Sequence, residues 1–307
     1  MTEPVEIWTR RRLLQLSIAA ALMPWPAKGA SKKMSTRPIP SSGEPLPMVG
    51  VGTYRTFDVG SSAPLRASVK EVLTRLFEVG GSVIDSSPMY GTAEAVAGDM
   101  LADLGLRDKA FIATKVWTEG RRQGLAQMHD SMAKLRTDKI DLMQVHNLVD
   151  WRTQLSSMRE LQAEGKFRYL GITHYTPGAF GRLMEVMARE KLDFLQIPYS
   201  IIVREAEDRI LSFAADKGVG IIVNRPFEGG GLFGKVRGRD LPDWAAEFDC
   251  GSWAQFFLKY LLGHPAVTCV IPGTGKIDHL VDNAGAGFGR MPDQKTRIRM
   301  ASLVDGL

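Results

Sequence analysis

The chain has 307 residues, 44% of them hydrophobic, which is enough for one large α/β domain with a substantial core. Its net charge of +5 is small for that length and argues against a nucleic-acid footprint. The two cysteines, Cys250 and Cys269, form no CxxC or Cys/His cluster of metal-ligand spacing, so no metal site is expected; Cys269 lies within an apolar run and reads as core, and no disulfide is expected.

Residues 1–30 read as a leader rather than as part of the fold. Arg10, Arg11 and Arg12 precede an uncharged, mostly apolar stretch of 11 residues from Leu13 to Met23, then Pro24, Pro26 and small residues. That order of charged, apolar and small is a processing pattern and predicts twin-arginine export to the periplasm, with Ala27-Lys28-Gly29 the best cleavage triplet. The stretch is too short to span a bilayer, which takes about 20 residues, so no stable membrane insertion is expected after processing. The alternatives are a disordered basic tail or a surface amphipathic helix, with the protein remaining cytoplasmic.

Residues 31–307 are expected to form a single domain. Pro38 to Pro47, with Ser41-Ser42-Gly43-Glu44 at its centre, suggests a small hairpin covering one end of it. Met48 to Gly52 is the first predicted strand. The helix after it has Val69, Val72, Leu73, Leu76 and Phe77 at helical spacing, so one face packs on a sheet. Further strands are expected at Ser82–Asp85, Phe111–Thr114, Ile140–Val145, Tyr169–Ile172, Phe194–Ile197, Gly220–Val223 and Val267–Ile271, with helices near residues 92–103, 121–136, 152–164, 177–189, 204–217, 252–263 and 277–286. Eight β-then-α units close most simply into a (β/α)8 TIM barrel, and a barrel of about 250 residues fits this length. A doubly wound open sheet is the alternative, but no GxGxxG follows an early strand.

Three of these strands end in an ionisable group. Asp85 closes the second, Lys115 the third and His146 the fourth, while Tyr90 lies on the loop after Asp85. Parallel strands place all of these groups at one carboxyl edge, where sites in parallel α/β proteins lie. Any one of them alone is more often a solvated strand end, an ion pair or a core aromatic; four at one edge call for chemistry. An ammonium at Lys115 is expected to lower the pKa of the Tyr90 phenol, Asp85 to hold Lys115, and His146 to orient a carbonyl oxygen for protonation. The chemistry implied is carbonyl reduction.

These four residues resemble the Asp, Tyr, Lys and His tetrad of the aldo-keto reductase superfamily. The resemblance runs from about Leu46 to Asn283 and includes MVGVGTYR (Met48–Arg55), GKFRYLGITH (Gly165–His174), FLQIPYS (Phe194–Ser200) and IPGTGKIDHLVDN (Ile271–Asn283). It implies NAD(P)H-dependent reduction of aldehydes or ketones, with NADP(H) preferred and NAD(H) accepted.

The resemblance also assigns the cofactor-facing positions. Gly52 ends the first strand, and Thr53 and Tyr54 follow it. Thr173 and His174 stand where the family usually has Ser and Asn and, with Gln196, would hold the nicotinamide carboxamide. Asn224 precedes Arg225 and Pro226 where the family often has a Tyr stacked on the nicotinamide, so that Arg225 or Phe227 would replace the stack. The loop Glu228-Gly229-Gly230-Gly231-Leu232 is expected to be flexible, with backbone amides that meet the pyrophosphate. Gly273 and Thr274 open the last motif, His279 and Asn283 fall on the helix after it, and Lys276 is the cation left for a 2′-phosphate, since family members that prefer NADPH often carry Lys and Arg at the positions of Gly273 and His279.

Tyr54, Trp117 and Asn147 are the substrate-facing candidates and suggest an aromatic-walled pocket for a small carbonyl compound. The loop from Phe227 to Gly251 is expected to supply a lid, and the chain to end soon after its eighth helix, leaving the pocket open. A reading of a different class is a cofactor-binding sensor or regulator with slow turnover, as the channel-associated relatives in the superfamily suggest; the intact tetrad favours the reductase.

Overall fold

Eight apolar runs become parallel strands because each is too short for a stable helix and rich in branched side chains that suit burial on both faces. The computed structural model describes residues 34–307, so the leader assigned to residues 1–30 lies outside the described residues. A hairpin comes first, β1 (Thr36–Pro38) paired antiparallel with β2 (Pro45–Pro47). The barrel strands are β3 (Val51–Gly52), β4 (Val83–Asp85), β5 (Phe111–Val116), β6 (Ile140–His146), β7 (Phe167–Thr173), β8 (Phe194–Pro198), β9 (Gly220–Asn224) and β10 (Val267–Val270), hydrogen-bonded in sequence order. The sheet closes on itself where Val49 bridges Val270 and Gly52 bridges Gly273; the Gly50 N–H donates to the Val270 carbonyl at 2.9 Å and the Val270 N–H to the Met48 carbonyl at 2.9 Å. This is the (β/α)8 barrel expected from the alternation of elements, and it rules out the open sheet.

The strands are followed by α1 (Ala63–Glu78), α2 (Ala93–Leu104), α3 (Arg121–Lys134), α4 (Trp151–Ala163), α5 (Phe180–Arg189), α6 (Ile210–Asp216), α7 (Gly231–Lys235), α8 (Trp253–Leu262), α9 (Ile277–Gly285) and α10 (Gln294–Asp305). Three expectations change. The helix expected over 204–217 is a single turn, Glu205–Glu207, and then α6, because Arg209 between them has an extended φ of −151°. The long loop after Phe227 is not plain loop: it contains a turn at Glu228–Gly230, the short α7 and a 3-10 stretch at Asp243–Phe248. The chain also continues past its eighth barrel helix into the 12-residue α10, capped by Asp293, which accepts from the Thr296 N–H at 2.8 Å. Buried Arg297 pins α10 to the barrel by donating to Tyr199 Oη at 2.6 Å and Glu207 Oε1 at 2.8 Å.

Side-chain alternation along the strands makes two cores. Between strands and helices lies a large apolar shell that takes in Ile84, Ile112, Val116, Met143, Val145 and Leu195. Inside the barrel, Val83, Phe111, Ala113, Leu142, Tyr169, Phe194, Ile222 and Cys269 meet one another and the hairpin residues Ile39 and Leu46. Phe194 packs edge-on against Tyr169 and Phe111, with ring centroids 5.7 and 6.1 Å apart. The hairpin forms the expected floor: Arg37 donates to the carbonyls of His264, Val267 and Leu262, and Tyr169 Oη donates to Glu44 Oε2 at 2.7 Å. Both cysteines are buried and free, Cys269 in the interior core where its apolar run placed it.

Candidate active site

Period two along a strand decides what reaches the cleft. Asp85 lies two residues beyond interior Val83, Lys115 two beyond Ala113, Gln144 and His146 two and four beyond Leu142, Thr173 four beyond Tyr169 and Gln196 two beyond Phe194. The interior face that is aromatic at the floor is therefore polar at the carboxyl end. All six of these side chains are buried.

Lys115 is fully enclosed and donates to Asp85 Oδ2 at 2.7 Å and to the Ser86 carbonyl at 2.6 Å. The other oxygen, Asp85 Oδ1, accepts from Gln196 Nε2 at 2.7 Å and Gln144 Nε2 at 3.3 Å. A buried ion pair holds only when its remaining lone pairs are met, and here two amides meet them. Burial disfavours the Lys115 charge, but Asp85 and then Tyr90 more than offset it, so its pKa is raised and the ammonium persists. Gln144 was not anticipated from the sequence; its position two residues before His146 was the signal.

Tyr90 comes from the turn after β4. Gly91 takes a left-handed φ of 59°, and a Cβ there would lie 2.4 Å from the Asp58 carboxylate, so a side chain would be strained and would displace that carboxylate. Asp58 Oδ1 accepts from both the N–H and the hydroxyl of Thr92 at 2.9 Å, tying this turn to the loop after β3. The Tyr90 ring centroid lies 5.1 Å from Lys115 Nζ, 5.0 Å from the Tyr54 ring and 6.1 Å from the His146 ring. The expected lowering of the phenol pKa is not what results. Burial raises it, Lys115 opposes that, Asp85 adds to it, and the net shift is upward. Tyr90 is thus held protonated.

His146 is pushed the other way. Burial first, then the charges of Lys115 and His174, lower its pKa to about 3, so the imidazole is neutral at ordinary pH. Three non-glycine residues with left-handed backbone follow it, Asn147 (φ 55°), Leu148 (57°) and Asp150 (42°), a concentration of strain of the kind found at functional loops. Trp117 is exposed, with its ring 6.4 Å from His146, and Tyr54 is exposed, with its ring 5.0 Å from that of Tyr90. Asn147 Oδ1 is buried without a partner.

The remaining predicted positions ring the same edge. Gly52 ends β3 and Thr53 follows it; the Thr53 hydroxyl donates to Ser86 Oγ at 2.9 Å. Thr173 donates to Gln196 Oε1 at 3.2 Å. The His174 ring lies parallel to Tyr175 with centroids 5.4 Å apart, and its Nδ1 accepts from the Thr176 N–H at 3.2 Å. Asn224 Nδ2 donates to the His174 carbonyl at 3.3 Å, while its buried Oδ1 has no partner. Arg225 is exposed and left-handed (φ 51°), Pro226 is buried, and Gly229, Gly230 and Gly231 have open space where a Cβ would sit. Gly231 and Leu232 open α7 rather than a flexible loop. Gly273 bridges Gly52, Thr274 Oγ1 accepts from the Lys276 N–H at 3.1 Å, and α9 starts after Lys276 with no side-chain cap. His279 is exposed on its first turn and Asn283 buried on its second.

The cleft thus brings together a protonated phenol, a neutral imidazole and a fixed ammonium. The chain belongs to the Aldo/keto reductase family, whose family model matches residues 48–300, and it is an NAD(P)H-dependent oxidoreductase. It is 27% identical over 246 residues to methylglyoxal reductase YeaE of Escherichia coli, covering 78% of this chain and 84% of that protein. It is 27% identical over 289 residues to 6-dehydroglucose reductase of Agrobacterium fabrum, covering 85% and 95%. Its fold matches an aldo-keto reductase from Klebsiella pneumoniae in complex with NADPH, with a TM-score of 0.73, 23% identity and coverage of 89% of this chain and 95% of that one.

Proposed function

We propose that the chain reduces small aldehydes or ketones to alcohols, with Tyr90 as the proton donor and Asp85, Lys115 and His146 in its support. The observation that carries this reading is the buried Lys115–Asp85 pair, at 2.7 Å, with its ammonium 5.1 Å from the Tyr90 ring. The nicotinamide cofactor, when bound, supplies the hydride to the carbonyl carbon. As negative charge develops on the substrate oxygen, Tyr90 Oη–H gives up its proton, and the Lys115 ammonium stabilises the phenolate left behind. His146, being neutral, offers the same oxygen an N–H without competing for the Tyr90 proton. Tyr54 and Trp117 flank the cleft as apolar walls for the substrate, with Asn147 at its edge.

The cofactor fits the donors and acceptors at the rim. Asn224 Oδ1, buried and without a partner beside Thr173, His174 and Gln196, suits a carboxamide N–H. The open space at Gly229, Gly230 and Gly231 suits close backbone approach to a pyrophosphate, and the uncapped start of α9 with Lys276 suits a phosphate. NADP(H) is the preferred form in this reading, with NAD(H) accepted. Purified protein mixed with NADPH or NADH and a panel of aldehydes and ketones, followed by absorbance of the reduced cofactor, tests it: steady multiple turnover with at least one carbonyl is expected, and oxidation limited to a single cofactor equivalent across the panel would point to a sensor instead.

The leader pattern supports export. A twin-arginine route carries folded protein, so the barrel would leave the cytoplasm with its nucleotide already bound. Fractionation of wild type beside a variant with Arg10, Arg11 and Arg12 changed to Lys checks this: wild type is expected in the periplasm and shortened, the variant in the cytoplasm at full length. Wild type wholly cytoplasmic and uncleaved would overturn it. Among the described residues no helix is long and apolar enough to cross a membrane.

A further inference from the structure

We propose that Ser87 is a positioning residue that fixes the tautomer of His146, so that the ring presents Nε2–H to the substrate oxygen; this deepens the carbonyl-reductase reading and rests on it. Ser87 is fully buried, and its Oγ lies 3.1 Å from His146 Nδ1. The same oxygen already accepts the Met89 N–H at 3.4 Å, in a turn two residues long. A hydroxyl has one proton and two lone pairs, and the Ser87 proton has no acceptor other than Nδ1 among the described residues.

The two tautomers therefore differ in what they leave unmet. With the ring proton on Nδ1, Oγ would accept from both Met89 and His146, and its own proton would be buried with nowhere to go. With the ring proton on Nε2, Met89 donates to Oγ and Oγ donates to Nδ1, so the Ser87 hydroxyl and Nδ1 are both satisfied, and Nε2 is not among the enclosed polar atoms left without a partner. An unmet buried donor costs more than a made hydrogen bond returns, so the second arrangement wins. Nε2 has no protein partner among the described residues, and the ring lies between those of Tyr90 and Trp117. The Ser87 carbonyl accepts the Tyr90 N–H at 3.0 Å, and the neighbouring Ser86 carbonyl accepts from Lys115 at 2.6 Å. One short turn thus sets the phenol, the ammonium and the imidazole together, and Ser87 is the part of it that acts through His146 without touching substrate.

The test is the ring-nitrogen NMR spectrum of the full chain labelled with 15N-histidine. There are five histidines, and the His146 signals are identified by their loss in His146→Gln. Wild type is expected to show Nδ1 as acceptor and Nε2 protonated. Ser87→Ala should populate the other tautomer and lower kcat roughly five- to tenfold, the effect of one lost neutral hydrogen bond, at unchanged NADPH affinity. Ser87→Thr, which keeps the hydroxyl, should restore both. A protonated Nδ1 in wild type overturns the proposal, and so does a Ser87→Ala ring spectrum identical to wild type, whatever its turnover. The spectrum needs no turnover, so failure of wild type to reduce any carbonyl would count against the reductase reading and leave the tautomer result standing.

Discussion

The two ends of the barrel interior are made by the same strands and share almost no chemistry. At the floor, Phe111, Tyr169 and Phe194 interlock beneath the hairpin; at the carboxyl end, Asp85, Lys115, Gln144 and Gln196 form a hydrogen-bonded ionic cluster. Two residues of strand, about 7 Å, separate them. A buried ion pair contributes little to stability after desolvation, whereas buried aromatic area contributes much, so the floor holds the barrel shut and the rim is free to be shaped for reaction. Stability and activity should accordingly respond to different substitutions.

The largest effect is expected at the floor. Phe194→Ala should cost about 3–5 kcal/mol of stability through lost burial and a cavity, with kcat/KM on a good aldehyde within about twofold of wild type wherever the variant is folded. Denaturant unfolding beside steady-state kinetics measures both, and a large loss of kcat/KM in the folded variant would break the division between the two ends. The reverse is expected of Tyr90→Phe: a loss of about 10²-fold in kcat, about 2.7 kcal/mol of barrier, with little change in melting temperature or cofactor affinity. Wild-type kcat in that variant would remove Tyr90 as the proton donor.

A pH series sharpens the contrast. His146 is neutral in the fold down to about pH 3, whereas in the unfolded chain it charges below about 6.5. Between those values the unfolded state binds more protons, so stability attached to this residue is whole above about pH 6.5 and is lost as pH falls toward 3, by about 2 kcal/mol at pH 5. His146→Gln should flatten the acid side of the melting-temperature profile by that share; parallel profiles would show that the ring is not held neutral. The smallest effect is expected at the outer rim, where Lys276 is exposed. NADPH should bind more tightly than NADH by a modest factor, and Lys276→Ala should shrink the gap by about 1 kcal/mol or less. Equal affinities of wild type for the two cofactors would rule that out.

Most of the fold was legible in local pattern. Each strand announced itself as a short branched run, and each ended close to where the sequence placed it; β5, β6 and β7 extend only one to three residues beyond expectation. The helix over 204–217 was misread because the apolar spacing passes smoothly through Arg209, and nothing in the local sequence reports its backbone angle. Helix α10 was missed because its anchor, buried Arg297, is satisfied by Tyr199 and Glu207, about ninety or more residues away in the chain.

The sequence by itself determined that the chain alternates strand and helix eight times, that Asp85, Lys115 and His146 lie at or within one residue of the ends of three neighbouring strands, and that Tyr90 follows the first of them, since period and spacing are local properties. Tertiary structure alone decided the rest. It set the sign of the Tyr90 shift, because burial outweighs Lys115 and burial is a property of the whole fold. It brought Gln144 and Gln196 onto Asp85 across 59 and 111 residues of chain, and Ser87 onto His146 across 59. Such pairs depend on strand register and closure around the barrel, which no window of sequence encodes.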